Sequence, residues 1–102
     1  MKTYKFYADP SHGWLAVKIK ELMELGIVTQ ISAYSYMRGA TAYLEEDCDA
    51  SLFFNACRDK YGVEPNHTYE HTDKRSPIRN YDGYNRNKAV DYALVALKSA
   101  TI

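Results

Sequence analysis

The order of apolar and polar positions divides the chain into short alternating runs and two longer helical ones. Tyr4, Phe6 and Ala8 alternate with Lys5 and Tyr7 over Thr3–Ala8, the period of two that marks a half-buried strand. The next run, Trp14–Ile19, fits two templates: Leu15, Val17 and Ile19 alternate as in a strand, while Leu15, Ile19 and Leu22 share a helical face. We read a strand to Ile19 and then a short helix Lys20–Leu25. Gly26 stops that helix, with Ile27 placed to pack back on Leu22. Ile31–Met37 and Ala40–Glu46 predict a hairpin joined through Arg38-Gly39, with Tyr34 opposite Tyr43 and Tyr36 opposite Thr41. Ala33, Met37, Ala42 and Leu44 then form a small-residue face that a helix could approach closely. The tyrosine face is either covered by another element or exposed for binding.

Beyond the hairpin, Glu46, Asp47 and Cys48 make an acidic corner, and Asp49 stands where a helix N-cap belongs. The predicted helix Asp49–Tyr61 places Ala50, Phe53, Phe54, Cys57 and Tyr61 on one face, and Gly62 ends it. Val63–Glu70 reads as an edge strand interrupted by Pro65, which has no N–H to donate to a ladder. Ser76-Pro77 has the pattern of N-cap and first residue of a single helical turn reaching Tyr81, broken by Gly83. Arg86–Ala100 is amphipathic, with Val90, Ala93, Leu94 and Leu97 on one face. The expected architecture is one α+β domain over residues 1–102. In it a small, mainly antiparallel sheet carries helices Asp49–Tyr61 and Arg86–Ala100 packed on one face.

Charge changes this picture only locally. Thirteen basic residues balance thirteen acidic ones, which removes any general attraction to phosphate. The distribution is uneven, however. Glu45, Glu46, Asp47 and Asp49 crowd residues 43–49, whereas Lys74, Arg75, Arg79, Arg86 and Lys88 face only Asp82 over 74–88. The start lacks the apolar run of a signal peptide and no segment has the length of a membrane span, so the expectation is a cytoplasmic protein with no membrane partner. Cys48 and Cys57 are then reduced thiols. If 49–57 is helical their Cα atoms stand roughly 12–14 Å apart, too far for a disulfide.

Little in the chain points to catalysis or to a cofactor. His67 and His71 have the spacing of a helical metal pair, but Pro65 and Thr68 oppose a helix and no further ligands are spaced to join them. Asp9, Ser11 and His12 are neighbours in one turn, where triad geometry is seldom achieved; Asp9 is expected to close an Asx-type turn, with Gly13 supplying backbone freedom. Neither catalytic nor metal residues are assigned. Four acids exceed what a helix cap needs, and an acidic patch suits a basic protein partner. Ten tyrosines suit half-buried strands and recognition surfaces alike. The candidate partner-binding residues are therefore Glu45, Glu46, Asp47, Tyr34, Tyr36 and Tyr43. The alternative is nucleic-acid binding by the basic segment through Lys74, Arg75, Arg79 and Arg86, with Tyr81 and Tyr84 for stacking.

Asp9-Pro10-Ser11-His12-Gly13-Trp14-Leu15, then Leu25-Gly26-Ile27, Tyr34-Ser35-Tyr36 and Tyr43-Leu44-Glu45-Glu46-Asp47-Cys48-Asp49, follow in an order that resembles a group of small accessory proteins encoded by bacteriophages and other mobile elements. The resemblance covers about the first 60 residues; Ser11 departs from the glycine that the group usually carries there. It implies expression in a bacterial cytoplasm and a non-enzymatic role in binding and modulating a host protein, such as a defence or regulatory factor. It transfers no catalytic residue.

Overall fold

The computed structural model describes residues 2–100, with side chains through residue 98. The chain runs β1 (Thr3–Ala8), β2 (Gly13–Lys18), α1 (Ile19–Glu24), β3 (Tyr36–Arg38), β4 (Thr41–Glu45), α2 (Asp49–Tyr61), β5 (Asn66–His71), β6 (Asp82–Gly83) and α3 (Arg86–Ala100). A short 3₁₀ turn, Pro77–Asn80, precedes β6. The strands form one six-stranded sheet in the order β5-β1-β2-β4-β3-β6, antiparallel throughout except for the β1–β5 pair. The α+β architecture expected from the sequence is the one observed.

Alternation decides which face of the sheet is filled. Phe6, Leu15, Leu44, Ala42 and Met37 point to one side and join Ala50, Phe53 and Cys57 of α2 and Ala89 and Ala93 of α3 in a single core. α1 continues directly from β2 and adds Ile19 and Leu22, against which α3 packs. Its stop is the one the sequence predicted: Gly26 takes φ +75°, the Gly26 N–H donates to Met23 O and the Ile27 N–H donates to Leu22 O. Gly13 differs from expectation. Its need is space rather than an unusual φ, since a Cβ there would lie 2.4 Å from Phe6 Cζ across the β1–β2 ladder.

Several boundaries and faces need correction. The β2–α1 junction falls at Ile19, one residue earlier than read, because Ile19 serves both patterns. The hairpin turns through Gly39-Ala40, pairing Tyr36 with Tyr43 and Arg38 with Thr41. Gly39, at φ +57°, occupies the first turn position, where a left-handed residue suits the twist of the flanking strands. The register therefore moves by two residues, and the faces survive: Met37, Ala42 and Leu44 are buried as expected. Residues 31–35 form turns instead of strand, leaving Ala33 exposed. Tyr61 is exposed at the end of α2, and α3 is rotated so that Ala89 and Ala93 are buried while Leu94 lies outside. β5 starts directly after Pro65 and is exposed along its whole length at the sheet edge.

Asp49 is not an N-cap. It is the first residue of α2, only 1 % exposed, and its carboxylate reaches away from its own helix to the 32–35 turn. Both oxygens accept from the Ser32 N–H at 3.1 Å, one accepts from Ser32 Oγ at 2.6 Å, and the same oxygen accepts from Ser35 Oγ. Ser35 Oγ in turn accepts from the Glu45 N–H at 2.9 Å, and Ser35 O accepts from the Tyr84 N–H. Tyr84 closes this knot by donating its hydroxyl to Val28 O at 2.6 Å, and burial pushes that hydroxyl's pKa up to about 12. Asp49→Ala should therefore destabilise the fold by about 3–5 kcal/mol, because hydrogen bonds to a charged acceptor contribute roughly 1.5–3 kcal/mol each and their donors would be left buried. Urea denaturation checks this; a loss confined to the roughly 0.5–2 kcal/mol of a helix cap would contradict the buried role.

Candidate functional site

The face of the sheet away from the helices is where the sequence-predicted residues collect. Trp14 stands opposite Glu45 in the β2–β4 ladder, and Tyr36 opposite Tyr43 in the β3–β4 ladder. The alternation that buries Leu15 and Leu44 on the core side turns Trp14, Tyr36, Tyr43 and Glu45 to the other. Trp14 is nevertheless only 1 % exposed, so this face is covered rather than solvated. The cover is the segment from Ser76 to Tyr81.

Asp9 fastens that cover. Its carboxylate, at the turn between β1 and β2, accepts from the Ser11 and His12 N–H groups at 3.0 Å, which is the Asx-type turn expected from the sequence. It also accepts from the Ser76 N–H at 3.0 Å and from Arg79 through Nε at 2.6 Å and Nη2 at 3.0 Å. The Asp9 side chain is 1 % exposed and that of Arg79 22 %. The Arg79 guanidinium, followed by the three backbone amides, holds the Asp9 carboxyl well below the usual carboxylate range, against the opposing effect of burial. From the same position Arg79 covers the Trp14 ring, 5.4 Å from its centroid. Ser76 caps the 3₁₀ turn by accepting from the Ile78 N–H, and Ile78 is buried beneath it.

Beside this latch lies a groove of about 420 Å³ whose floor is Trp14 and whose walls are His12, Tyr34, Tyr36, Glu45, Cys48 and Arg79. Tyr36 meets Trp14 edge to face at 6.1 Å. Tyr34 is 79 % exposed, on a turn fixed by its N–H donating to Ser32 Oγ. Glu45 ends β4, and its carboxylate accepts from the Asp47 N–H at 3.1 Å; the Glu46 N–H donates to Gly13 O. Glu46 and Asp47 are exposed on this corner, and none of the three acids is ion-paired among the described residues. The Cys48 thiol is pushed up chiefly by the neighbouring Asp49 charge, which disfavours a thiolate nucleophile. Both cysteines are free thiols, Cys48 exposed and Cys57 buried.

Of the six partner-binding candidates, Tyr34, Tyr36 and Glu45 line the groove; Glu46 and Asp47 are exposed beyond it, and the Glu46 carboxyl turns to the Gly13 and Phe6 side of the sheet. Tyr43 belongs elsewhere, in a ring cluster with Tyr7 and Tyr81. Asp49 leaves the corner for the interior, so the corner has one charge fewer than the sequence suggested. The alternative set is divided: exposed Lys74 and Arg75 stay in the segment that holds Arg79, and Arg86 lies apart. Arg79 is committed to Asp9, and Arg75 donates to Asn80 Oδ1 at 2.8 Å. Arg86 follows β6 at the far edge of the sheet, four strand spacings or roughly 19 Å from β1, beside which Thr72 is tied. His71 pairs with Asp73, His67 packs against Phe6 and Phe54, and no group of three metal-ligating side chains converges among the described residues. No described helix is long and apolar enough to cross a membrane.

Sequence reasoning missed His12, Trp14 and Arg79 as parts of the groove. Trp14 carried the available signal: a tryptophan on the nominally polar side of a strand implies that something covers that side. No protein-family model, curated protein or solved structure matches the chain.

The depressed Asp9 carboxyl sets the sign of an acid response. Its contribution to stability is complete above the unfolded-state pKa of about 3.9 and is lost as pH falls below it. Between neutral pH and pH 3 the protein should lose more stability than an Arg79→Ala variant, in which that carboxyl is no longer held down. The variant should also show red-shifted Trp14 emission at neutral pH. Equal acid losses in the two proteins, with unchanged emission, would show that the latch is not formed.

Proposed function

We propose that this is a non-enzymatic accessory protein that binds and modulates a basic host protein in a bacterial cytoplasm, using the groove and its acidic corner. One observation carries the reading: Glu45 lines a groove walled by Tyr34, Tyr36 and Arg79 over Trp14, and the exposed Glu46 and Asp47 continue its negative charge along the β4–α2 corner, none of the three ion-paired among the described residues. Exposed tyrosine supplies contact area at low entropic cost, and carboxylates steer and orient a partner of opposite charge. The order of motifs that resembles phage and mobile-element accessory proteins supports a host protein as that partner. Commitment of Arg79 to Asp9 and the separation of Arg86 from the other basic residues favour protein over nucleic acid.

The test is capture from bacterial lysate, with and without nuclease treatment, by the wild-type chain and by a Glu46→Lys, Asp47→Lys double variant. Both positions are exposed, so stability should change by no more than about 0.5 kcal/mol. Recovery of the specific partner should fall by about tenfold or more, since reversal replaces attraction by repulsion. Recovery unaffected by the reversals would refute the reading. So would capture that requires nucleic acid and is lost on changing Arg75 and Arg86 to alanine.

A further inference from the structure

The covered face of the sheet holds a second recess, separate from the groove and on the other side of the latch. Three tyrosines form its ring wall: Tyr7 on β1, Tyr43 on β4 and Tyr81 at the end of the 3₁₀ turn. The Tyr7 and Tyr43 centroids lie 6.4 Å apart with planes inclined by 57°, and those of Tyr43 and Tyr81 lie 5.1 Å apart at 55°. Pro77 and Ile78 close one side of this space of about 270 Å³, and Glu70 stands on its margin. The parallel register pairs Tyr7 with Glu70, which puts the carboxylate on the same side of the sheet as the Tyr7 ring. Glu70 is exposed and has no ion-pair partner among the described residues.

We propose that this recess binds a quaternary ammonium group. Rings inclined to one another offer a cation several electron-rich surfaces, and a nearby carboxylate adds the complementary charge. Single rings of this face already carry cations: the Arg38 guanidinium lies 5.0 Å from the Tyr81 centroid and that of Arg79 lies 5.4 Å from Trp14. Ser76 Oγ and Thr72 Oγ1 each already accept one backbone N–H, so the recess offers ring faces and apolar surface more than directed acceptors. A fully methylated ammonium needs no acceptor, and its methyl groups suit the space beside Pro77 and Ile78. The Glu70 carboxylate disfavours an anion. A free choline-type compound and a trimethylated lysine in a peptide present the same chemistry to the recess.

The experiment is an NMR titration of the tyrosine ring resonances in the full chain. The probes are tetramethylammonium, choline, a short peptide containing trimethyllysine, the same peptide with unmodified lysine, and 3,3-dimethylbutan-1-ol, the neutral isostere of choline. Saturable shifts are expected at Tyr7, Tyr43 and Tyr81, with dissociation constants of about 1 mM or tighter. The neutral isostere and the unmodified lysine peptide should bind about tenfold or more weakly than their methylated cationic counterparts. Tighter binding of choline identifies a small-molecule ligand, and tighter binding of the trimethyllysine peptide a modified chain. Glu70→Gln, at an exposed position, should weaken cation binding roughly three- to tenfold without moving the denaturation midpoint. Tyr81→Leu keeps apolar bulk while removing one ring, and should weaken the cation far more than the isostere. The proposal is overturned if the isostere binds as well as choline, if the shifts fail to saturate, or if they appear at Tyr34 and Tyr36 instead.

Discussion

Asp9 receives five hydrogen bonds, from the amides of Ser11, His12 and Ser76 and twice from the Arg79 guanidinium. An ionised carboxylate shut away from water is tolerated only when its oxygens are satisfied in this way. The two ends of the contact lie about 70 positions apart in the chain. Closing it draws the segment after β5 across the face of the sheet opposite the helices. Without that segment Trp14 and Tyr43 would face water; with it they and Ile78 form a thin second layer, and both the groove and the tyrosine recess are spaces at its margins.

Asp49 performs a parallel task on the other side of the groove. Its carboxylate fixes Ser32 and Ser35, and so places Tyr34 and Tyr36 relative to Glu45, whose own N–H donates to Ser35 Oγ. The groove is thus bounded by turns that are locked by buried charge rather than by apolar packing. Removing either carboxylate strands the donors around it, a larger penalty than losing a single surface contact. Tyr34 can stay exposed on a loop of defined shape because its neighbours Ser32 and Ser35 are held. Pre-organisation of that kind reduces the entropy lost when a partner binds.

Elements whose signal is local were legible in the sequence. β1, α2 and α3 follow from periodicity, and the stop at Gly26 from the placement of Ile27. The small-residue face of Met37, Ala42 and Leu44 survived even a two-residue register error, since a shift by two keeps every side chain on its side. What could not be read were the long-range acceptors. An aspartate before a helical run looks the same whether it caps its own helix or grips a distant turn, and nothing near Arg79 marks Asp9 as its partner. The basic segment looked coherent for the same reason: sequence proximity hid that Arg79 is spent on the latch and that Arg86 begins at the opposite sheet edge.

Hydrogen exchange at the Ser76 amide tests most directly whether Asp9 organises the covered face. That N–H has the Asp9 carboxylate as its acceptor and belongs to no helix or strand, so its protection reports the latch itself. In the wild-type chain it should exchange about as slowly as core amides such as Leu44 and Phe53. In Asp9→Asn its protection, and that of Ile78, should fall by at least about tenfold relative to those core amides. Fast exchange at Ser76 in the wild type, or protection that is indifferent to the substitution, would contradict the latch.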